Sequence, residues 1–504
     1  MSRIIILFVS LIISHSLVAQ EEPVRFVSAA WEINFSSAKI VSETGEEGGA
    51  DLRFAPWFNL QFYNNIDKES HGFFYGFTIR NIGFIYRNGE EGRFPVEVGD
   101  LVINSAQPKS RLASVLLEPQ TIVEDSVTYD ITAWALPYAY NLDAVATNGS
   151  VQSSDVAPPS PVQSIVEESY AYLLTWNGVA DVRVLAELLS QDVRVRFATN
   201  PFRIDGNQYE AGTLIVAGAD NNHLGSDLGG VVNTIAASHQ QPVASIQSGF
   251  VDSGNDIGSN AVGYLNAPSI MIVAGNSISS YGLGELWNYF DNEIGYPTAL
   301  VNGSDMGRID LDDYDVIIFP SGSYSDLLND DAVSSVSGWI RRGGKLIAIE
   351  SAVQFLSGIE GFDIDRKANP GESDSTAASK LKIYGERVRS DQSDRVRGAI
   401  YRATIDRTHP LGFGYGTSYY ALKRSTSTYD YSDSAWNVAT ISDGTAISGF
   451  AGNNTESRLE NSLLWGHQSV GSGDVIYFTN NPIYRGFWHG GMLALANAVF
   501  LVGQ

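Results

Sequence analysis

The sequence predicts an α/β protein whose largest domain, residues 265–504, is a three-layer sandwich around a parallel sheet. Two observations carry this. Three unalternated apolar runs, Ser269–Gly275, Asp315–Pro320 and Gly344–Ser351, follow one another at about 45 and 30 residues. Runs of that kind, bounded by glycine, belong to strands buried on both faces. The stretches between them read as helices, Glu285-Leu286-Trp287-Asn288-Tyr289-Phe290 among them, which makes βαβ units. Ligands of such sheets sit at the carboxyl ends of the strands.

The remaining elements follow in order. Residues 1–20 carry Arg3, an apolar core from Ile4 to Ile13 and the small-residue step Val18-Ala19-Gln20, the pattern of an export signal too short to span a bilayer. Residues 21–97 are rich in Phe, Tyr, Trp and Ile around the polar turn Asn64–His71, so an antiparallel β segment is expected there. Its aromatic strands resemble those of outer-membrane barrels in composition. Residues 98–147 change character, and Asn148 to Glu168, with Pro158-Pro159-Ser160-Pro161, reads as a linker. Residues 169–262 predict a smaller α/β domain. Its strands are Ala171–Thr175, Val193–Phe197 and Thr213–Ala217, and its helices Val179–Ser190 and Gly229–His239. Beyond Ser351 come a polar insertion, Asp363–Arg397, the strands Ala399–Ile405 and Asp474–Phe478, and a last helix, Gly491–Phe500.

Composition narrows the function. A chain of 504 residues exceeds one core and calls for several domains. With 57 acidic against 32 basic residues the net charge is −25, which argues against nucleic acid or an anionic membrane as partner. No stretch after the leader reaches 18 apolar residues, so no membrane helix is expected. There is no Cys, hence neither a disulfide framework nor a thiol nucleophile.

Several blocks carry a resemblance. Asp125-Ser126-Val127-Thr128-Tyr129-Asp130-Ile131-Thr132-Ala133-Trp134, Tyr170–Trp176, Gly212–Val216, His409–Gly416 and Asn481–Trp488 resemble, in this order, the C-terminal extension of secreted Bacteroidetes-type zinc carboxypeptidases of the carboxypeptidase A superfamily. The resemblance covers residues 97–504 and makes residues 98–147 the end of a catalytic domain. It further implies that residues 265–504 form a flavodoxin-like domain of the class I glutamine amidotransferase type.

Neither implied chemistry is supported by the residues present. A zinc carboxypeptidase needs His-x-x-Glu and a later His around an open metal position. The residues three after the seven His (15, 71, 223, 239, 409, 467, 489) are Val18, Phe74, Ser226, Pro242, Gly412, Val470 and Met492, so no zinc cofactor is expected. An amidotransferase needs Cys at the strand-to-helix elbow, with His and Glu downstream. The elbow here is Glu350-Ser351-Ala352, flanked by Ile349 and Val353, and Gly-x-Ser-x-Gly is absent.

Ser351 reads as an N-cap or a weak nucleophile, Glu350 as a ligand-binding carboxylate, and His489 as a third member of one cluster with them. His409 reads as a loop residue. Gly282-Leu283-Gly284 is half a phosphate turn, with Trp287 in place of the third Gly. Asp220, Asp227, Asp252 and Asp256 lack complete calcium-loop spacing. The expectation is an exported accessory or binding protein without catalysis of its own, taking a protein or peptide partner. The alternatives are a zinc carboxypeptidase by kinship and a hydrolase acting through Ser351 or Glu350.

Overall fold

The computed structural model describes residues 4–7, 82–96, 100–105, 107–121, 131–149, 168–325, 327–367 and 383–504. Most of the hairpin expected from Leu52–Tyr63 and Gly72–Tyr86, most of the leader and most of the linker lie outside them. Contacts divide the chain into two units. The first is Met1–Pro119 with Ala135–Val162, and the second is Gln120–Trp134 with Gln163–Gln504.

The first unit holds β1 (Ile4–Leu7), β2 (Ile82–Ile85), β3 (Glu90–Arg93), β4 (Leu101–Asn104), helices α1 (Ser110–Leu117) and α2 (Leu136–Ala139), and β5 (Ala144–Thr147). The sheet order is β3-β2-β5-β1-β4. Among the described residues of the expected antiparallel segment, β2 and β3 do pair antiparallel, within a sheet that is mixed as a whole. β1 runs parallel to β4 and β5, while β2 is antiparallel to β3 and β5. β2 and β5 pair across the expected boundary at residue 97. Ile4-Ile5-Ile6 of the expected leader is a strand here, which suits β-branched residues as well as an apolar leader does. Tyr86 and Tyr138, both fully buried, meet edge to face, and the Tyr86 hydroxyl donates to the Leu117 carbonyl.

The second unit begins with β6 (Ala171–Leu174), α3 (Val179–Ser190), β7 (Arg196–Ala198), the hairpin β8 (Phe202–Ile204) and β9 (Asn207–Tyr209), β10 (Leu214–Ala217), α4 (Leu228–Ser238), β11 (Ala244–Ile246) and β12 (Val262–Tyr264). The sheet β11-β6-β10-β7-β12 is antiparallel throughout. The residues predicted as a smaller separate domain cluster with the rest of the unit. Two links, one buried and one partly buried, explain this. Trp176 Nε1 donates to Asn497 Oδ1 at 2.7 Å, and Arg183 of α3 pairs with Glu293 at 2.7 Å.

The large sheet follows, from β13 (Ile270–Ala274), α5 (Ser280–Asn288), β14 (Ala299–Asn302), β15 (Val316–Phe319), α6 (Asp330–Arg341), β16 (Lys345–Ile349), α7 (Ser351–Leu356), α8 (Arg387–Ser393), β17 (Ala399–Ile405), β18 (Ser418–Lys423), β19 (Trp436–Ile441), α9 (Glu456–Leu459), β20 (Ser462–Val470), β21 (Gly473–Phe478) and α10 (Met492–Ala496). Its order is β14-β13-β15-β16-β21-β20-β19-β17-β18. The first five strands are parallel. Numbered by sequence among themselves they run 2-1-3-4-5, the doubly wound order of flavodoxin-like sheets.

Alternate residues explain the burial. Met271, Val273, Ile317, Phe319, Leu346, Ala348, Val475 and Tyr477 share one core with Trp339 of α6 and Val353 of α7. Their neighbours Ile272, Ile318, Ile347 and Ile476 face the other side and are equally buried. The last helix is shorter than predicted, because a π turn takes over at Asn497–Leu501.

Candidate functional site

Strand directions locate the edge where ligands belong. β20 is antiparallel to β21, β19 to β20, β17 to β19 and β18 to β17. β18 therefore ends, and β17 begins, at the same edge as the carboxyl ends of the five parallel strands. That edge gathers Glu350 after β16, Arg424 after β18, the Asn481–Gly486 loop after β21 and the start of α5 after β13.

The switch point between β13 and β15 is closed. Ile278 and Gly322 form an isolated bridge, Ser279 N–H donates to Ser321 O at 2.9 Å and Ser323 N–H to Ser277 O at 2.8 Å. Ser351 completes the staple. Its Oγ accepts from Gly322 N–H at 2.7 Å, lies 2.8 Å from Gly322 O and shares a hydrogen bond with Ser321 Oγ at 2.9 Å. A Cβ on Gly322 would stand 2.8 Å from the Ile278 side chain and 2.9 Å from Ser277 O, so this approach requires glycine. Ser351 thus spends its hydroxyl on three contacts to the neighbouring loop.

Glu350 occupies the elbow itself with φ +51° and ψ −108°, a conformation that costs a non-glycine residue about 1 kcal/mol or more. Its carboxylate accepts from Arg424 Nη2 at 3.1 and 3.3 Å through its two oxygens. The Arg424 guanidinium also lies over the Tyr484 ring, 4.5 Å from its centroid.

Behind the pair is Glu285 of α5, 8% exposed. Arg485 N–H donates to its Oε1 at 2.7 Å and Asn481 Nδ2 to its Oε2 at 2.5 Å. Burial pushes its carboxyl up to about 7, against those two hydrogen bonds, and the Glu350 charge adds to the rise. Arg485 holds φ +50° to present its N–H. Lys423, fully desolvated, donates to Ser427 O and Thr479 O, and burial pushes its amine down to about 8.

Neither a protein-family model nor a curated protein matches the chain. Among solved structures it is similar to a protein described as ThuA-like from Bacteroides uniformis, at 11% identity, TM-score 0.31, over 46% of this chain and 90% of that one. A second protein described as ThuA-like, from Parabacteroides merdae, gives 15%, 0.32, 46% and 88%. A glutamine amidotransferase from Thermotoga maritima gives 10%, 0.26, 42% and 75%. None of these values assigns a function.

Glu350 and Ser351 are neighbours at the edge, and His489 lies in the turn that leads into α10. Loss of water around its ring, with the Arg183 guanidinium, pulls its pKa down to about 4, so it is neutral at pH 7. The Gly282-Leu283-Gly284 turn lies inside α5, capped by Ser279, whose Oγ accepts from Gly282 N–H at 3.3 Å. Asp220 is bidentate to Arg196, at 2.6 and 2.7 Å, and Asp252 accepts from Gly206 N–H. No group of three or more His, Cys, Asp or Glu fit to hold a metal occurs among the described residues.

Sequence reasoning missed Glu285, Arg424, Tyr484 and Arg485. Only Glu285 left a trace, as a charge beside Leu286 in an otherwise apolar helical segment.

His409 is more than a loop residue. Its Nδ1 accepts from Leu411 N–H at 3.1 Å, its Nε2 meets His467 Nδ1 at 2.9 Å, and His467 Nε2 meets Asp474 Oδ1 at 2.7 Å. Asp474 opens β21, so this chain lies at the opposite sheet edge.

Proposed function

We propose that the chain is an exported binding protein. In this reading residues 265–504 are a glutamine amidotransferase-like domain without its nucleophile, related to the C-terminal part of secreted zinc carboxypeptidases, and the Glu350 edge holds a peptide-like ligand or protein partner. One observation carries it. The elbow position, where the implied amidotransferase has its Cys, holds a carboxylate clamped by Arg424, and the adjacent Ser351 hydroxyl is consumed by the Gly322 staple. A charged, half-exposed pair on a strained backbone favours recognition over nucleophilic attack.

The test uses the purified full chain. Fluorescence polarisation against a pool of short labelled peptides should reveal binding that Glu350→Ala removes, without turnover. One tightly held zinc per chain together with release of C-terminal residues would overturn the proposal, as would peptide binding indifferent to Glu350.

A second reading rests on Glu285. A carboxyl pushed up to about 7 by burial, beside the Glu350 charge, has the proton affinity of a general acid at neutral pH. Hydrolysis of a glycoside or ester that disappears in both Glu285→Gln and Glu350→Gln would favour it.

A further inference from the structure

A cavity of about 320 Å³ opens at the same edge, lined by Ile131, Asp394–Gly398 and Arg424–Thr426. That size lies at the small end of ligand sites. In a chain of net charge −25, its lining brings three arginines together: Arg395, Arg397 and Arg424.

Their pairing differs. Arg395 pairs with Asp391 at 2.6 Å across one helical turn, both side chains nearly half exposed, a weak and screened contact. Arg424 is held by Glu350. Asp394, the acidic residue of the lining, already accepts from Arg458 and Asn454 at 3.1 Å each. Arg397 has no ion pair among the described residues, and its Nε is buried without a hydrogen-bond partner.

The backbone holds Arg397 rigidly. Its carbonyl accepts from Thr132 Oγ1 at 2.7 Å and its N–H donates to Phe450 O at 3.2 Å. The next residue, Gly398, takes φ +63°, where a Cβ would stand 2.5 Å from Ile131 Cα. The cavity wall is therefore built by a close approach that only glycine permits.

We propose that this cavity binds a small organic anion, with the Arg397 fork taking a carboxylate or phosphate group in bidentate fashion. Arg395 and Arg424 supply further charge, and the Ser425 and Thr426 hydroxyls supply donors. The planar end of a guanidinium, with its two Nη donors, matches two oxyanion oxygens at once. Arg424 links the cavity to the elbow, because an anion drawing on Arg424 competes with Glu350. The inference depends on the binding reading of the edge through that residue alone.

Isothermal titration of the full chain at low ionic strength, with citrate, succinate and inorganic phosphate as probes and glycerol as neutral control, tests it. One-to-one binding of at least one anion is expected, weakening as salt rises. A carboxylate source is indicated if citrate or succinate binds more tightly, a phosphate source if phosphate does. Arg397→Gln should weaken binding at least tenfold and Arg397→Lys nearly as much, since lysine keeps the charge and loses the fork. Glu350→Gln, which releases Arg424, should tighten it several-fold.

Absence of saturable binding by the wild type overturns the inference, as does affinity unchanged in Arg397→Gln. Should that variant fail to fold, Arg395→Ala at the half-exposed position replaces it, with the same expectation of weaker binding and the same overturning result. Anion binding that survives while Glu350-dependent peptide binding fails would sink the earlier proposal and leave this one standing. The reverse pattern would do the opposite.

Discussion

Glu285→Gln isolates the electrostatic cost of the edge. The wild-type carboxyl is displaced from its ordinary 4.5 to about 7, and each pKa unit corresponds to about 1.4 kcal/mol. Between these two values the unfolded chain loses this proton while the folded chain retains it. Stability then falls with rising pH, because the unfolded state binds fewer protons. The contribution is fully present below pH 4.5 and lost by the time pH passes 7. The total is about 3 kcal/mol by the same conversion.

Glutamine removes the titration and keeps the shape. Its carbonyl still accepts from Arg485 N–H, but its amide faces Asn481 Nδ2. Asn481 cannot simply turn, since its Oδ1 accepts from Ile483 N–H. That mismatch costs about 1–2 kcal/mol and is the same at every pH. The variant should therefore be less stable than wild type at pH 4.5 and comparable or more stable at pH 8, a relative gain of about 3 kcal/mol. Urea unfolding of both proteins at half-unit pH intervals measures it. Asp181, likewise raised to about 7 by burial, and His409 and His489, lowered to about 4, titrate in both proteins and cancel in the difference. Parallel stability curves for the two proteins across pH 4.5–8 would refute the reasoning.

Three further outcomes follow from individual contacts. Ser351→Ala orphans Gly322 N–H and loosens the staple across the switch point, so denaturant stability should fall by about 2 kcal/mol; loss of a hydrolytic activity instead would restore Ser351 as a nucleophile. Asn497→Ala removes the acceptor of Trp176 Nε1–H and the donor to Leu411 O and Phe413 O inside a fully buried site; a loss of about 4 kcal/mol is expected in chemical unfolding. The Leu411 N–H bond fixes His409 as the Nε2–H tautomer, which makes His467 an acceptor at Nδ1 and a donor at Nε2 to Asp474. Nitrogen-15 spectra of the two rings near pH 7 should show both Nδ1 atoms unprotonated.

The parallel sheet was legible because its strands are buried on both faces. Ile270–Ala274, Val316–Phe319 and Leu346–Ile349 are apolar without a break, and such runs next to glycine suit strands buried on both faces. The antiparallel half was less visible. Ser418–Lys423 and Trp436–Ile441 mix Ser, Asn, Thr and Lys into their strands, and Lys423 is buried only because two carbonyls receive its amine. A sequence shows the lysine but not the carbonyls.

The sheet around the N-terminal segment was only partly visible. β5, the antiparallel partner of β2, comes from the far side of a composition change that suggested a boundary. At the site, Glu350 and Ser351 were found by their place after a strand. Their roles needed the Gly322 loop and Arg424, 29 and 74 residues away.

The two edges of the large sheet show why charge in the sequence is a poor guide to function by itself. At the amino edge Lys345, Asp474, His467 and His409 look like a catalytic set when read as residue types. Each is accounted for. The Lys345 amine donates to Val499 O at 2.9 Å and is pushed down to about 8 by burial, and the two imidazoles are strung between Leu411 N–H and the Asp474 carboxylate. Such satisfied buried networks fix a packing arrangement.

At the carboxyl edge the balance is different. Glu350 sits in a strained conformation, Glu285 carries a displaced carboxyl, and Arg397 lines the cavity with no ion pair among the described residues. Departures from local satisfaction gather where a fold serves something other than its own stability. That contrast, more than the number of ionisable residues, selects the Glu350–Arg424–Arg397 edge as the place to look for a ligand.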